Sequence, residues 1–432
     1  MKTIIIIIFL LSVLLVRADD ENRAYAELFY GLRDTSPVLE SVLQRKWVND
    51  LNLNFKHSLI IGPSAFQNVS SELIALTFTN ISILSLEGES LVGLKAKTLY
   101  INNASINLTE NLIVPGTLKV LTLDACETPE APMGIPHFFP DLEELHLYDN
   151  NLPVIRSKAF APMKNLKRLG LVFNKITTLE PGCFNGLHEL LVLNLSNNKL
   201  TSLPAGVFNG LSKLKHLYVD NCEQLKHIDI NAFRGMSSLG ELWLQNNALE
   251  SLQVGMFDEL RTLAALLLES NNITHIPKGV FDKVKTLRVI SLKNTMISSI
   301  EPNAFSVLNL ESLDLSGGMR RRVLESGIFT GLTVEDLHLR GNGIQEIKPH
   351  AWDGLFAETV NLNSNNLTKI VPEYFAGLNT STLYLLANGI TEITPNAFKN
   401  TQVKEIDLRN NSIKTVEKAT WGLPESVRIT IE

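Results

Sequence analysis

Tyr218, Trp243 and Leu267 stand 25 and 24 residues apart, each inside a short alternating run: Leu217-Tyr218-Val219, Leu242-Trp243-Leu244 and Leu266-Leu267-Leu268. In an extended strand alternate side chains face opposite ways, so these three point away from their apolar flanks toward solvent. Aromatic and apolar side chains held side by side on an open surface are the chemistry of partner binding. The same position elsewhere reads His146, Gly170, Asn194, Ser291, Asp314, His338, Asn361, Tyr384 and Asp407. Ala264 and Ala265 extend the apolar stretch, and Tyr148, Val172 and Phe173 are assigned to neighbouring strand positions. The candidate ligand-binding residues are therefore Tyr218, Trp243, Leu267, Phe173 and Tyr148. The competing reading is a face that merely tolerates scattered aromatics.

Other chemistry is poorly served. Of nine histidines, His146 and His338 fall on strand faces and His188 and His350 in connecting segments, with none spaced as a metal pair. No serine sits in a nucleophile elbow, and no glycine-rich phosphate loop is present. The expectation is a non-enzymatic protein without metal or cofactor. Cys126, Cys183 and Cys222 are the only cysteines. Cys126 and Cys222 occupy one repeat position four turns apart, roughly 19 Å at the usual strand spacing, beyond disulfide reach. They read as buried thiols, with intermolecular pairing of an odd cysteine as the alternative.

The element that must position these residues is a repeat. The phrase L-x-x-L-x-L-x-x-N-x-L-x-x-L appears at Leu142–Ile155, Leu166–Leu179 and Leu190–Leu203. Its opening residue recurs about every 24 residues as Leu73, Ala96, Leu118, Leu142, Leu166, Leu190, Leu214, Leu239, Leu263, Leu287, Leu310, Val334, Ala357, Thr380 and Val403. The period-two part is a strand with its leucines inward. The following Asn turns the chain, and its amide can satisfy buried backbone groups of adjacent turns. The later Leu pair and an Ala-Phe pair pack the returning side. One unit cannot bury its apolar face alone, whereas stacked units make a continuous core. At 432 residues a single globular core would normally split, but a solenoid grows turn by turn.

These residues imply an α/β solenoid of about 16 repeats. They resemble the typical leucine-rich repeats of Toll-like receptor ectodomains, slit-type guidance proteins, matrix proteoglycans and secreted insect immune proteins. The motif with its added Phe and Leu is clearest at Leu166–Leu187, Leu190–Leu211 and Leu239–Leu260. The resemblance implies a right-handed horseshoe with a parallel concave sheet and an irregular convex side. It covers about 380 residues and specifies the fold far more than the function. The cysteine clusters that usually close such relatives are absent, and no coiled-coil heptad follows the repeats. No transmembrane or intracellular signalling segment is apparent, so a membrane receptor as such is not expected.

Four regions are assigned: a signal peptide at 1–18, a non-repeat N-terminal cap at 19–47, the solenoid at 48–426 and a terminal strand at 427–432. Lys2, the apolar run Ile4–Val16 and the small residue Ala18 carry the first assignment. AELFYGL and PVLESVLQRKW give the cap helix-like apolar spacing. Ile81 and Ala104 stand where the Asn is expected, as in degenerate terminal turns. Cleavage after Ala18 would remove Lys2 and Arg17 and move the formal charge from −6 to −8. An acidic protein is a poor match for nucleic acid, and no run reaches the roughly 20 apolar residues of a membrane span.

Nine sequons fit an exported glycoprotein: Asn68, Asn80, Asn103, Asn107, Asn194, Asn272, Asn366, Asn379 and Asn410. A glycan on Asn194 would project beside Tyr218. One irregularity remains, at Leu310–Phe329, where Gly318 takes the Asn position and one residue is inserted. A bulge there would display Arg320, near a normally apolar site, with Arg321 and Arg322. Such a basic cluster could hold sulfated glycan or phosphate, or be a solvated insertion. The functional expectation is a secreted recognition protein of innate immunity, binding an extracellular protein or a microbial glycan or lipid on the concave face. Alternatives are a matrix or adhesion component and a carrier subunit of a secreted complex. Oligomeric state is not readable.

Overall fold

The computed structural model describes residues 4–9, 12–20, 23–29, 50–55, 59–61, 66, 74–86, 88–108, 112–126 and 131–432. The fold is a parallel-strand solenoid of about 15 turns with little helix. Met1–Lys199 with Asn209–Leu214 form one compact unit, and Leu200–Phe208 with Lys215–Glu432 form the other.

In the first unit the strands Ala75–Thr79, Thr98–Asn102, Val120–Asp124, Glu144–Tyr148, Arg168–Gly170 and Val192–Asn194 pair in parallel, each with the next. In the second unit the ladder runs His216–Tyr218, Glu241–Trp243, Ala265–Leu267, Val289–Ser291, Asn309–Asp314, Thr333–His338, Phe356–Asn361, Thr380–Tyr384, Glu405–Asp407 and Arg428–Thr430. Alternation does what the sequence requires: in Glu144–Tyr148, Leu145 and Leu147 are buried while Glu144, His146 and Tyr148 are half-buried on the other side.

The returning side is built of turns and two-residue parallel pairs such as Val154–Ile155 with Thr178–Leu179. Its core is a file of stacked rings. Phe160 lies 6.3 Å from Phe184 in the first unit. In the second, Phe208, Phe233, Phe257, Phe281 and Phe305 follow at 5.8–6.3 Å. Phe329, Trp352, Phe375 and Phe398 continue at 5.3–6.4 Å. Each pair adds about 0.5–1.5 kcal/mol beyond its buried area. Trp352 takes a Phe position without an orphaned donor, because its indole N–H donates to the Tyr374 carbonyl at 2.7 Å.

A ladder built mostly of Asn closes the strand ends of the turns. Asn174 donates to the carbonyls of Leu147 at 2.6 Å and Leu171 at 3.1 Å, and its Oδ1 accepts the N–H groups of Asn150 and Leu152. Cys126 and Cys222 are buried thiols outside any disulfide and on the ladder, each offering its N–H to the next Asn side chain at 3.1 Å and 2.7 Å. Burial pushes the Cys126 thiol to about 11 and the Cys183 thiol to about 12. Ile81 and Ala104 are buried at their ladder positions, and an exposed row of amides lies one residue earlier. There Asn103 Nδ2 donates to Asn80 Oδ1 at 3.0 Å, and Asn80 Nδ2 to Asn54 Oδ1 at 3.3 Å.

Near the start, Ile4–Phe9, Ser12–Asp20 and Arg23–Phe29 form an antiparallel meander, and Arg23–Phe29 pairs in parallel with Asp50–Phe55. Ala26–Phe29, whose spacing suggested helix, is thus strand: its backbone groups pair with strands on both sides. Residues 30–49, which hold the rest of the expected cap, lie outside the described residues. Among the described residues the α-helices are Ala131–Phe138 and Lys418–Trp421.

Candidate functional site

In the second unit, strand register sets Tyr218 beside Trp243, Trp243 beside Leu267, and Leu267 beside the buried Ser291. The indole meets the Tyr218 ring edge-on, with centroids 5.0 Å apart and planes at 70°. The His216 ring lies parallel to Tyr218 at 6.4 Å. Trp243 Nε1 donates to Glu241 Oε2 at 3.3 Å, and that oxygen also lies 3.3 Å from His216 Nδ1. All five side chains belong to half-buried residues, so apolar surface is held rigid yet open. Ala265, two residues before Leu267 on the same half-buried face, registers with Glu241.

The polar members of the same column have a local duty. Asp314, Asn361 and Asp407 each accept, through Oδ1, the N–H two residues on, at 2.8, 3.0 and 3.1 Å. Asn194 does the same for Ser196 in the first unit, at 2.9 Å. Such Asx turns end a strand. Asp407 is also gripped by Arg409, Nε to Oδ1 at 2.9 Å and Nη2 to Oδ2 at 2.7 Å, and this guanidinium holds its carboxyl below the usual range. Trp243 and Leu267 carry no such backbone duty.

In the first unit, the Tyr148 hydroxyl lies 2.7 Å from His146 Nδ1, and both lie over Gly170. A Cβ on Gly170 would come within 2.7 Å of that nitrogen and 2.8 Å of Tyr148 Cε1, so the missing side chain is what admits the pair. Burial pushes the His146 ring below its ordinary value, against the opposing pull of Glu144, whose Oε2 is 3.5 Å from Nε2. Glu144 in turn faces Arg168 at 3.4 Å. Burial raises Tyr148. Two turns earlier, Tyr100 donates to Asp124 Oδ2 at 2.8 Å and is pushed to about 12 by burial and that bond. Tyr100 escaped a reading of the column that began at Leu142, although period two predicts its position equally well.

Phe173 corrects the sequence reading. It is not on the strand, which ends at Gly170, but in the turn, in the left-handed region with φ +57°. Equivalent turns place Asn80, Asn103 and Asp149 there in the first unit, and Asn221, Asn246, Ser270, Asn294 and Asn410 in the second. Ala125 and Ala387 share the column, so small residues fill it; Asn and Asp tolerate positive φ best, and a bulky aromatic adopts it at a steric cost. The Asn-Asn doublets of the sequence were the available signal for this column. Tyr148 and Phe173 therefore belong to the first unit, on a strand and a turn respectively, and the Tyr218–Trp243–Leu267 strip belongs to the second.

Among the sequons, Asn80, Asn103, Asn107, Asn366 and Asn410 are exposed, and Asn194, Asn272 and Asn379 half-buried. Asn68 lies outside the described residues. Among the described residues, no group of three or more His, Cys, Asp or Glu is placed to hold a metal ion, and no helix is long and apolar enough to cross a membrane.

A leucine-rich-repeat family model matches residues 116–176, 164–223, 220–273 and 261–318, and a BspA-type leucine-rich-repeat model matches 322–422. The chain belongs to the leucine-rich-repeat proteins. No curated protein sequence matches it significantly. Among solved structures this leucine-rich-repeat chain is similar to a chain of the glycosylated Toll–Spätzle complex, described as a molecular hub in Drosophila development and innate immunity. The two share 17% identity with a TM-score of 0.66, covering 99% of this chain and 59% of that one. A chain of the TLR13–ssRNA13 complex aligns over 94% of this chain and 78% of its own, at 19% identity and TM-score 0.43. The chain spans less than two thirds of the Toll-complex chain, and at these identities the likeness shows the fold alone.

Proposed function

We propose that this leucine-rich-repeat protein is a secreted, non-enzymatic recognition factor of innate immunity. It holds an extracellular protein, or a microbial glycan or lipid, on the outward face of its sheet. The single observation carrying the reading is the Tyr218–Trp243–Leu267 strip, in register on three adjacent strands while polar residues of that column are spent on the backbone. Paired aromatics in a rigid, half-buried setting lose little conformational freedom on contact, which is why such residues anchor interfaces. The Ile4–Val16 run and the exposed sequons support export. The fold shared with a chain of the Toll–Spätzle complex supports recognition as the task.

The test is a pull-down from native extracellular fluid and from microbial extracts, wild type beside Trp243→Ala. A ligand retained by wild type and lost with the variant supports the reading. Identical retention by both proteins overturns the strip as the site.

A further inference from the structure

The bulge after Gly318 departs from every regular turn in one measurable way. In regular turns the residue just after the ladder Asn donates its N–H to the preceding turn: Lys175 to Leu152 O at 3.1 Å, Lys199 to Ile176 O at 2.9 Å. Here Arg320, two residues after Gly318, does this job, donating to Ile297 O at 2.6 Å. Met319 is therefore the extra residue, and Arg320 is not at the apolar site that its sequence position suggested. Gly318 itself has no room for a side chain. Its Cβ would meet Thr295 Oγ1 at 2.7 Å, and that hydroxyl already fills the ladder space by donating to Leu292 O.

The outcome is three consecutive exposed arginines, Arg320, Arg321 and Arg322. Neighbouring acids are engaged. Glu325 faces Arg321 at 3.5 Å, Glu346 is bound by Lys348 at 2.6 Å, and Glu301 accepts the Lys278 N–H at 2.9 Å. Arg320 and Arg322 make no ion pair among the described residues. Two uncompensated guanidinium groups thus stand on a protein of formal net charge −6.

We propose that this bulge binds a sulfated polysaccharide. Guanidinium forks match the oxygens of a tetrahedral oxyanion through paired hydrogen bonds. An anionic bilayer would bring a plane of negative charge against the acidic remainder of the protein, within a screening length of about 10 Å. A single polysaccharide chain can lie on the arginine strip alone.

The test is binding of the full-length protein to immobilised heparin across a salt series. Arg320→Ser/Arg322→Ser is compared with wild type, with Arg428→Ser as a surface control and an unchanged urea midpoint as evidence of folding. The double variant loses about tenfold in affinity and each single variant about threefold. Arg428→Ser and Trp243→Ala bind heparin as wild type does, so this site and the aromatic strip fail or stand separately. Absence of heparin binding by wild type, or equal binding by the double variant, overturns the proposal. So does an arginine-dependent association with phosphatidylserine-containing phosphatidylcholine vesicles when heparin binding is unaffected.

Discussion

Phe173 and Asn174 are consecutive, yet Phe173 is 61% exposed in a left-handed turn and Asn174 is 4% exposed and bonded to the carbonyls of Leu147 and Leu171. The turn of the repeat explains both. It puts the residue before the ladder position at positive φ even where the ladder residue is not Asn, as Asn80 before Ile81, Asn221 before Cys222 and Asn294 before Thr295. A Phe there bears the conformational cost and leaves an apolar ring in water.

That cost makes an unusual stability prediction. Phe173→Asn puts the residue type common in this column at φ +57° and is expected to raise stability by about 1 kcal/mol. Urea unfolding checks it, and a loss of stability would mean that the ring packs better than its exposure indicates. A Phe retained at such a position also marks it for a binding assay alongside Trp243→Ala.

The ladder predicts the opposite. Asn247 accepts the Cys222 N–H at 2.7 Å and donates to the carbonyls of Val219 at 2.8 Å and Leu244 at 2.9 Å. Asn247→Ala strands these buried groups together and is expected to cost about 3 kcal/mol or more. The drop in unfolding midpoint measures it, and a cost near that of an exposed Asn→Ala would contradict the ladder's role.

His146 gives a pH signature. Burial puts its folded pKa below the ordinary 6.5, so the unfolded chain takes up the proton more readily. Its stabilising contribution is full above that value and falls as pH drops from there toward the folded pKa. His146→Gln removes this part of the pH dependence. Unfolding midpoints compared on both sides of pH 6.5 should differ less in the variant than in wild type, and equal slopes would assign the effect elsewhere.

Much of this was legible in the chain because periodicity needs no tertiary knowledge. The alternation Leu242-Trp243-Leu244 alone puts Trp243 outward, and a 24-residue repeat alone sets it beside Tyr218 and Leu267. What was not legible depends on backbone hydrogen bonding. Val172 and Phe173 read as a continuing strand, but the strand ends at Gly170 and Phe173 turns the chain at positive φ. Arg320 counted as an apolar position until the bond to Ile297 moved the insertion to Met319. The acceptor duty of Asp314, Asn361 and Asp407 likewise appears only once the strand ends are seen.

The central claim rests on Trp243, and the most direct measurement is affinity for whatever ligand the wild-type protein retains from extracellular fluid. Wild type, Trp243→Ala and Arg428→Ser should be compared by calorimetry, with matched unfolding midpoints. A loss of at least about 2 kcal/mol for Trp243→Ala, with Arg428→Ser unchanged, is the result expected of an interface anchor. Equal affinity for all three would contradict it and move recognition off the aromatic strip.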